Sequence, residues 1–225
     1  MAATLDGPRI EPRSGKARRL VVLVHGYGAD GNDLIALGQE WRARLPAAAF
    51  VAPHAPEPCD GAPIGRQWFP LIQRDMGERW RGVNRAAPAL DAFLDAELAR
   101  RNLPSRALAL VGFSQGTMMA LHVGLRRALV PAAIVGYSGL YVMPDRPDGE
   151  AAARAEIRAR PPILLVHGDL DDLIPPAALF MSTKALAAAE VPVEWHLSQG
   201  LGHGIDPEGL RQGGEFLARA FGVPA

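Results

Sequence analysis

The chain has 225 residues, of which 48% are hydrophobic, enough for one substantial core. Its 24 Lys and Arg balance 24 Asp and Glu, so the charge gives no support for binding to nucleic acid or to an anionic membrane surface. The single cysteine, Cys59, excludes an internal disulfide, and no segment reads as a signal peptide or a membrane span. We therefore expect a cytoplasmic protein without integral membrane association.

Short apolar runs alternate along the chain with longer stretches of helical pattern. This alternation predicts a mainly parallel sheet with helices on both faces, in a single α/β domain over residues 1–225. Residues 1–18 are expected to lead into the first strand. The predicted strands are Leu20–Val24, Ala49–Ala52, Ala107–Gly112, Ala132–Tyr137, Ile163–His167 and Val193–Leu197. The predicted helices are Asp33–Leu45, Ala86–Arg101, Gln115–Leu129, Ala177–Ala189 and Pro207–Phe221.

A glycine-rich segment, VLVHGYGADGND at residues 22–33, follows the first predicted strand. Its G-x-G-x-x-G pattern also occurs in dinucleotide-binding turns, which use an acid at the end of the next strand to bind the ribose. That strand ends here in Ala-Pro-His at residues 52–54, without an acid. We therefore expect no cofactor, and glycines that let the backbone approach a substrate closely.

Residues 53–82 interrupt the alternation with many prolines, glycines and aromatic residues. A loop of this length inside a compact domain is usually a lid or a pocket wall, although its aromatic residues could merely anchor an irregular segment. Both interpretations are kept. The candidate substrate-binding residues are Trp68, Phe69, Leu71 and, further along the chain, Tyr141.

The strongest signal for chemistry is the pattern G-x-S-x-G at residues 112–116, between an apolar strand and an apolar helix. In this nucleophile elbow a sharp turn exposes the serine hydroxyl, and side chains in place of the two glycines would collide. Such a turn aims the serine at a helix N-terminus, where developing negative charge is favoured. Ser114 is therefore the candidate nucleophile.

A serine nucleophile needs an imidazole base, which follows the acid in the chain order of this architecture. His203 is favoured because it lies in a glycine-rich loop between the last strand and the last helix, where an imidazole could reach the serine. The other histidines after Ser114 are assigned to helix or strand positions; they are His122, His167 and His196.

The orienting acid is expected in ILLVHGDLDDL, residues 163–173, which reads as a strand followed by a turn. Three carboxylates fall in that turn, at Asp169, Asp171 and Asp172. Asp residues also begin turns and helices, so spacing alone does not rank the three.

Acyl transfer through a serine requires two backbone N–H groups to bind the tetrahedral oxyanion. Gln115, the residue after the nucleophile, would supply one N–H, and the glycine-rich loop at residues 25–28 would supply the other. The expected reaction passes through an acyl-enzyme that water hydrolyses.

With these motifs assembled, the sequence from about residue 20 onward resembles the small carboxylesterases of the α/β-hydrolase fold, a group that includes lysophospholipases and acyl-protein thioesterases. The resemblance rests on LVHGYGADGNDL, QWFP, VGFSQG, HGDLDDLIP and GLGH. It implies a fold without a large cap domain, often dimeric, that hydrolyses esters or thioesters of short to medium acyl chains. It also implies Asp171 as the catalytic acid and the Tyr27 backbone as an oxyanion donor.

The expected function is therefore that of a serine ester hydrolase with a small-molecule ester substrate and no cofactor or metal, and a homodimer is expected from the resemblance. A lysophospholipase or an acyl-protein thioesterase would use the same triad. The same scaffold also supports a cofactor-free perhydrolase or a non-catalytic binding protein, although a binding protein would normally have lost a triad residue. The sequence does not name the physiological ester.

Overall fold

The computed structural model describes residues 5–59 and 64–223. Their strands are β1 Arg9–Ile10, β2 Arg19–Val24, β3 Ala48–Val51, β4 Glu57–Pro58, β5 Arg66–Gln67, β6 Leu108–Phe113, β7 Ala133–Tyr137, β8 Ile163–Gly168 and β9 Val193–Ser198. The helices are α1 Gly31–Leu34, α2 Ala36–Trp41, α3 Met76–Arg101, α4 Gln115–Arg126, α5 Gly149–Ala155, α6 Ala177–Ala188 and α7 Pro207–Ala220.

Seven of these strands form one sheet in the order β1-β3-β2-β6-β7-β8-β9, parallel except for β1. The expected mainly parallel α/β arrangement is confirmed. In the register of the two central strands Val24 lies beside Gly112, so the loops that follow β2 and β6 leave the sheet side by side. This pairing places the glycine-rich loop next to Ser114.

Two hydrophobic cores lie on the two faces of the sheet. Along β2, Leu20, Val22 and Val24 belong to one core, whereas Val21 and Leu23 belong to the other. The first core includes residues of α3, α4 and α6, and the second includes residues of α2 and α7. Helices therefore cover both faces, which explains why the strands read as continuous apolar runs.

All six predicted strands are present with ends within one residue of their predicted bounds. The helices differ more. The stretch predicted as one helix over residues 33–45 forms the two short helices α1 and α2, and α4 ends at Arg126 because the next residue, Arg127, has an extended backbone. In the part of the chain that the structure describes, no helix is long and apolar enough to cross a bilayer.

Helix α3 begins at Met76, ten residues before its predicted start. Asp75 caps its N-terminus by accepting the backbone N–H of Glu78 at 2.6 Å. Pro88 inside the helix and the polar sequence before it obscured the helical pattern. The predicted irregular segment 53–82 therefore includes the first turns of α3, as well as the β4–β5 ribbon. Residues 60–63 of that segment lie outside the described residues.

Two further elements carried no periodic signal because they are short. Strand β1 lies within the predicted approach segment 1–18 and pairs antiparallel with β3, and α5 spans seven residues. Neither includes a residue of the loops that follow β2 and β6, so neither changes the position of the candidate site.

Candidate active site

Ser114 occupies the tight turn between β6 and α4. Its backbone has φ 54° and ψ −117°, a conformation that costs a residue with a side chain on the order of 1–3 kcal/mol. The turn is held by the backbone N–H of Ser114, which donates to the carbonyl oxygen of Tyr137 at 2.9 Å. A strained serine at a helix N-terminus is the geometry expected of a nucleophile elbow.

The glycines on either side of Ser114 are explained by close backbone contacts. A Cβ on Gly112 would come to 2.4 Å from the carbonyl oxygen of Gly116, and a Cβ on Gly116 would come to 1.8 Å from that of Val24. Since both obstacles are main chain, a side chain at either position would have to displace the sheet or the helix. The motif is therefore required by packing at this turn.

Asp171 and His203 meet on the carboxyl side of the sheet. Asp171 follows β8, His203 lies in the loop between β9 and α7, and their Oδ2 and Nδ1 atoms are 2.8 Å apart. The other oxygen of Asp171 accepts the backbone N–H groups of Leu173 at 3.0 Å and Ile174 at 2.9 Å. The carboxylate is completely buried, whereas the imidazole of His203 is partly exposed. This arrangement fixes the orientation of the ring.

A second histidine touches the same carboxylate. Nε2 of His167 lies 3.2 Å from Oδ2 of Asp171 and 2.8 Å from the carbonyl oxygen of Ile174. The sequence assigned His167 to the end of a strand without a role in the site, and its two partners lie four and seven residues further along the chain. The signal for its contact with Asp171 was their i, i+4 spacing in HGDLD, which is not specific.

The other two candidate acids have different surroundings. Asp169 accepts the backbone N–H of Gly200 at 2.7 Å and so ties the loop after β8 to the loop after β9. Asp172 is exposed. Of the three carboxylates left open by spacing, Asp171 is the one that the structure places against His203.

Ser114 and His203 line the same cavity, which has a volume of about 180 Å³. The rest of its lining is Gly26, Tyr27, Ala29, Leu71, Arg74, Arg79, Phe113, Met118, Leu173 and Ile174. The ring of Phe113 lies 5.1 Å from that of His203, centroid to centroid, and supports the imidazole from the side of the sheet. A larger surface cleft of about 550 Å³, at residues 147–155 and 185–188, is lined by neither serine nor histidine.

The remaining histidines lie elsewhere. His122 is buried within α4 with its ring edge-on to Trp80, and burial, together with the charge of Arg126, lowers the pKa of His122 to about 3. His196 contacts Gln212 of α7 at 3.1 Å. Neither imidazole lines the cavity beside Ser114.

The glycine-rich loop covers the nucleophile. A Cβ on Gly26 would lie 3.1 Å from Cδ1 of Phe113 and 3.3 Å from Cβ of Ser114, so a side chain here would have to displace these neighbours slightly. The loop is fixed by two hydrogen bonds to β5, from the N–H of Gly28 to the carbonyl oxygen of Arg66 and from the N–H of Arg66 to that of Ala29, both at 2.9 Å. The candidate oxyanion donor Tyr27 immediately precedes these anchor points and lines the cavity.

His25 locks the start of the same loop, a role that sequence reasoning did not assign to it. Its Nε2 accepts the backbone N–H of Ala55 at 2.9 Å, so the ring proton sits on Nδ1, which donates to the carbonyl oxygen of Gly26 at 2.8 Å. Burial lowers the pKa of His25, which favours this neutral form. The two ring nitrogens of His25 thus connect the candidate oxyanion loop to the backbone at Ala55.

Gln115, the other candidate oxyanion donor, is the first residue of α4, so its N–H has no acceptor within the helix. Its side chain is completely buried. The amide oxygen accepts the N–H of Trp68 at 2.9 Å, and the amide nitrogen donates to the carbonyl oxygen of Phe69 at 2.7 Å. The QWFP stretch therefore holds the residue that follows the nucleophile.

The four predicted pocket residues separate. Leu71 lines the cavity. Trp68 and Phe69 are fully buried in the first core, and the indole N–H of Trp68 donates to the carbonyl oxygen of His25 at 3.0 Å. Tyr141 is buried in the same core, away from the cavity lining. The aromatic residues of the loop thus contact the protein interior, and Trp68 and Phe69 support the site from below.

The chain is similar to known proteins over most of its length. The family model for phospholipases and carboxylesterases matches residues 5–220. The crystal structure of esterase PE8 superposes with a TM-score of 0.91 at 44% identity, covering 97% of this chain and all of that one. Acyl-protein thioesterase 1 of Gibberella zeae is 25% identical over 97% of both chains. Esterase YpfH of Escherichia coli is 28% identical over 87% of this chain and 80% of its own.

Proposed function

The chain belongs to the phospholipase/carboxylesterase family, and from that premise we propose that it hydrolyses carboxylic esters with Ser114 as nucleophile, His203 as base and Asp171 as orienting acid. The observation that carries the proposal is the 2.8 Å contact between Asp171 and an imidazole that lines the same cavity as the strained serine. The three residues come from three separate loops, and their position on the carboxyl side of the sheet supports the roles that acyl transfer requires.

The hydrogen bonds of Asp171 determine where the imidazole proton lies. A carboxylate only accepts, so His203 carries its proton on Nδ1 and keeps a lone pair on Nε2. Nε2 accepts the proton of the Ser114 hydroxyl while Oγ of Ser114 attacks the ester carbonyl carbon. The N–H groups of Tyr27 and Gln115 bind the resulting oxyanion. His203 then protonates the leaving alcohol, and water repeats the sequence on the acyl-enzyme.

The cavity supports a short to medium acyl chain. Its volume of about 180 Å³ is below the ~300–1,000 Å³ of pockets that hold drug-sized ligands. Apolar side chains dominate one part of the lining, from Leu71, Met118, Leu173 and Ile174. We expect rates on p-nitrophenyl esters to fall once the acyl chain outgrows this space.

The test is a graded p-nitrophenyl ester series on the wild type and Ser114→Ala, with Ser138→Ala as a matched control. Ser138 likewise follows a strand of the sheet, β7, but it is buried and donates to the carbonyl oxygen of Gly204. We expect Ser114→Ala to lose at least ~10³-fold in kcat and Ser138→Ala to keep most of it. Equal losses in both variants, or full activity of Ser114→Ala, would contradict the proposal.

Thioester hydrolysis is the second candidate, favoured by the relative named acyl-protein thioesterase that aligns over 97% of both chains. The same triad would form the same acyl-enzyme from either substrate, so the discriminating measurement compares an oxygen ester with the thioester of the same acyl group. A higher kcat/KM for the thioester would make thioesterase the better description.

The proposal includes a cytoplasmic homodimer, and sedimentation velocity would test the dimer.

A further inference from the structure

We propose that Arg79, assisted by Arg74, binds a carboxylate group on the substrate, so that the enzyme prefers esters with a negative charge close to the scissile bond. The inference rests on the proposed function, because it concerns the cavity beside Ser114. It adds a substrate class and a specificity-determining residue to the hydrolytic reaction.

Both arginines line the cavity that contains Ser114 and His203. Arg79 lies in the first turn of α3 and is partly buried, whereas Arg74 precedes that helix and is exposed at the rim. No carboxylate side chain is among the residues that line this cavity. The described lining thus combines an apolar part with two positive charges.

Among residues 5–59 and 64–223, neither guanidinium has an ion-pair partner. The two nearest acids in sequence are already engaged with the backbone. The carboxylate of Glu78 accepts the N–H groups of residues 72, 73 and 74 at 2.7–3.1 Å, and Asp75 caps α3. These acids organise the turn, leaving the guanidinium groups without a direct counter-ion.

Several other arginines with little exposed side chain are paired with carboxylates. Arg9 contacts Glu97 at 2.7 Å, and Arg127 contacts both Asp91 and Asp95. Arg79 has no such ion pair among the described residues. Its Nε, like that of Arg127, is buried without a hydrogen-bond partner, and burial lowers the pKa of Arg79. A partly desolvated cation is costly unless a counter-charge is supplied. A bound carboxylate would supply that charge and could accept two N–H groups from one guanidinium.

The backbone at Arg74 supports a role for its side chain. Its φ of 58° lies in the left-handed region, which glycine or asparagine adopts at lower cost than arginine. Such strain persists where the surrounding structure or a function maintains it. Here the strained turn holds a second cation at the mouth of the cavity, where it would attract an anionic substrate.

The volume of the cavity limits the distance between charge and ester. Since Ser114 and Arg79 share a space of about 180 Å³, the carboxylate must lie within a few bonds of the ester. The substrates that fit are half-esters of short dicarboxylic acids, with the charge on the acyl side, or short acyl esters of hydroxy acids, with the charge on the alcohol side.

Two substrate pairs test this inference and separate the two sides. The acyl-side pair is mono-4-nitrophenyl glutarate and 4-nitrophenyl methyl glutarate, and the alcohol-side pair is 4-acetoxybenzoate and its methyl ester. The readout is the ratio of kcat/KM for the anionic member to that for the neutral member. The variants are Arg79→Met, Arg79→Lys and, as a matched control, Arg81→Met, which removes an exposed arginine of the same helix outside the cavity.

We expect the wild type to favour the anionic member of one pair, and the pair that shows the preference identifies the side that carries the charge. Arg79→Met should lower that ratio about 10- to 100-fold. Arg79→Lys should keep part of it, and Arg81→Met all of it. The wild-type preference should also weaken as salt rises from 50 mM to 0.5 M, a measurement that requires no variant.

Wild-type ratios at or below one in both pairs would overturn the inference, as would a ratio that Arg79→Met leaves unchanged. The proposed function fails separately. If Ser114→Ala still cleaved the neutral esters, the serine mechanism would be wrong, whereas serine-dependent cleavage without any charge preference would overturn the carboxylate site alone.

Discussion

Replacing Asp171 by asparagine should invert the tautomer of the His203 imidazole. Oδ1 of Asp171 accepts two backbone N–H groups, from Leu173 and Ile174. The amide of an asparagine must therefore place its oxygen toward those donors, so its NH₂ group faces Nδ1 of His203. Because NH₂ only donates, Nδ1 would have to accept and the ring proton would move to Nε2.

The size of the loss follows from that change. An imidazole protonated on Nε2 cannot accept the proton of Ser114, although both rings and the backbone keep their positions. Removing the acid function while keeping its shape costs about 10⁴ in kcat in serine enzymes, which corresponds to about 5 kcal/mol at 1.36 kcal/mol per tenfold. KM should change little, since Asp171 does not line the cavity.

The assay is steady-state hydrolysis of p-nitrophenyl butyrate by the wild type, Asp171→Asn and Asp169→Asn. Asp169 is the matched control, because it lies in the same turn but accepts the N–H of Gly200 instead of contacting His203. We expect its variant to stay within about tenfold of the wild type. An Asp171→Asn enzyme that retains a tenth or more of wild-type kcat, or an Asp169→Asn enzyme that loses as much, would refute the reasoning.

Three further predictions concern stability and the support of the site. Gly116→Ala places a Cβ 1.8 Å from a backbone oxygen, so it should lower the unfolding free energy measured in urea by more than about 3 kcal/mol. The control is Gly77→Ala, whose nearest contact is 3.3 Å and which should lower it by less than about 1 kcal/mol. Because the pKa of His122 is lowered to about 3 in the folded state, the unfolded chain binds one more proton between pH 6.5 and pH 3. The unfolding free energy should therefore fall by a few kcal/mol as the pH decreases over this range, and His122→Phe should show a smaller fall. Gln115→Ala leaves the buried N–H of Trp68 unpaired, so both kcat and the melting temperature should fall. Unchanged values would contradict a supporting role for the hydrogen bonds of the Gln115 side chain.

The sequence was most informative where a residue's role depends on its neighbours in the chain. The strands were predicted to within one residue because both their faces are buried, and the turn at Ser114 was predicted because its glycines flank it directly. Spacing left three acids open, and only the resemblance pointed to Asp171. The structure adds the contact with His203, which lies 32 residues further along the chain.

The predictions were weaker where a role depends on contacts between distant segments. Trp68 and Phe69 were predicted to line the pocket because they are large and apolar. In the structure they are buried, and their backbone groups hydrogen-bond the side chain of Gln115, 46 or 47 residues away. His25 and Arg79 carried no local signal. His25 has a fixed tautomer and Arg79 an unpaired charge. Both features arise only when the β4–β5 ribbon and α3 pack beside the glycine-rich loop.

The most direct test of the serine mechanism is labelling with a fluorophosphonate, followed by peptide mapping. We predict one equivalent of label, attached to the peptide that contains Ser114, with loss of ester hydrolysis in proportion to labelling, and no label on Ser114→Ala. Active enzyme that stays unlabelled, or inactivation with the label on a different residue, would contradict it.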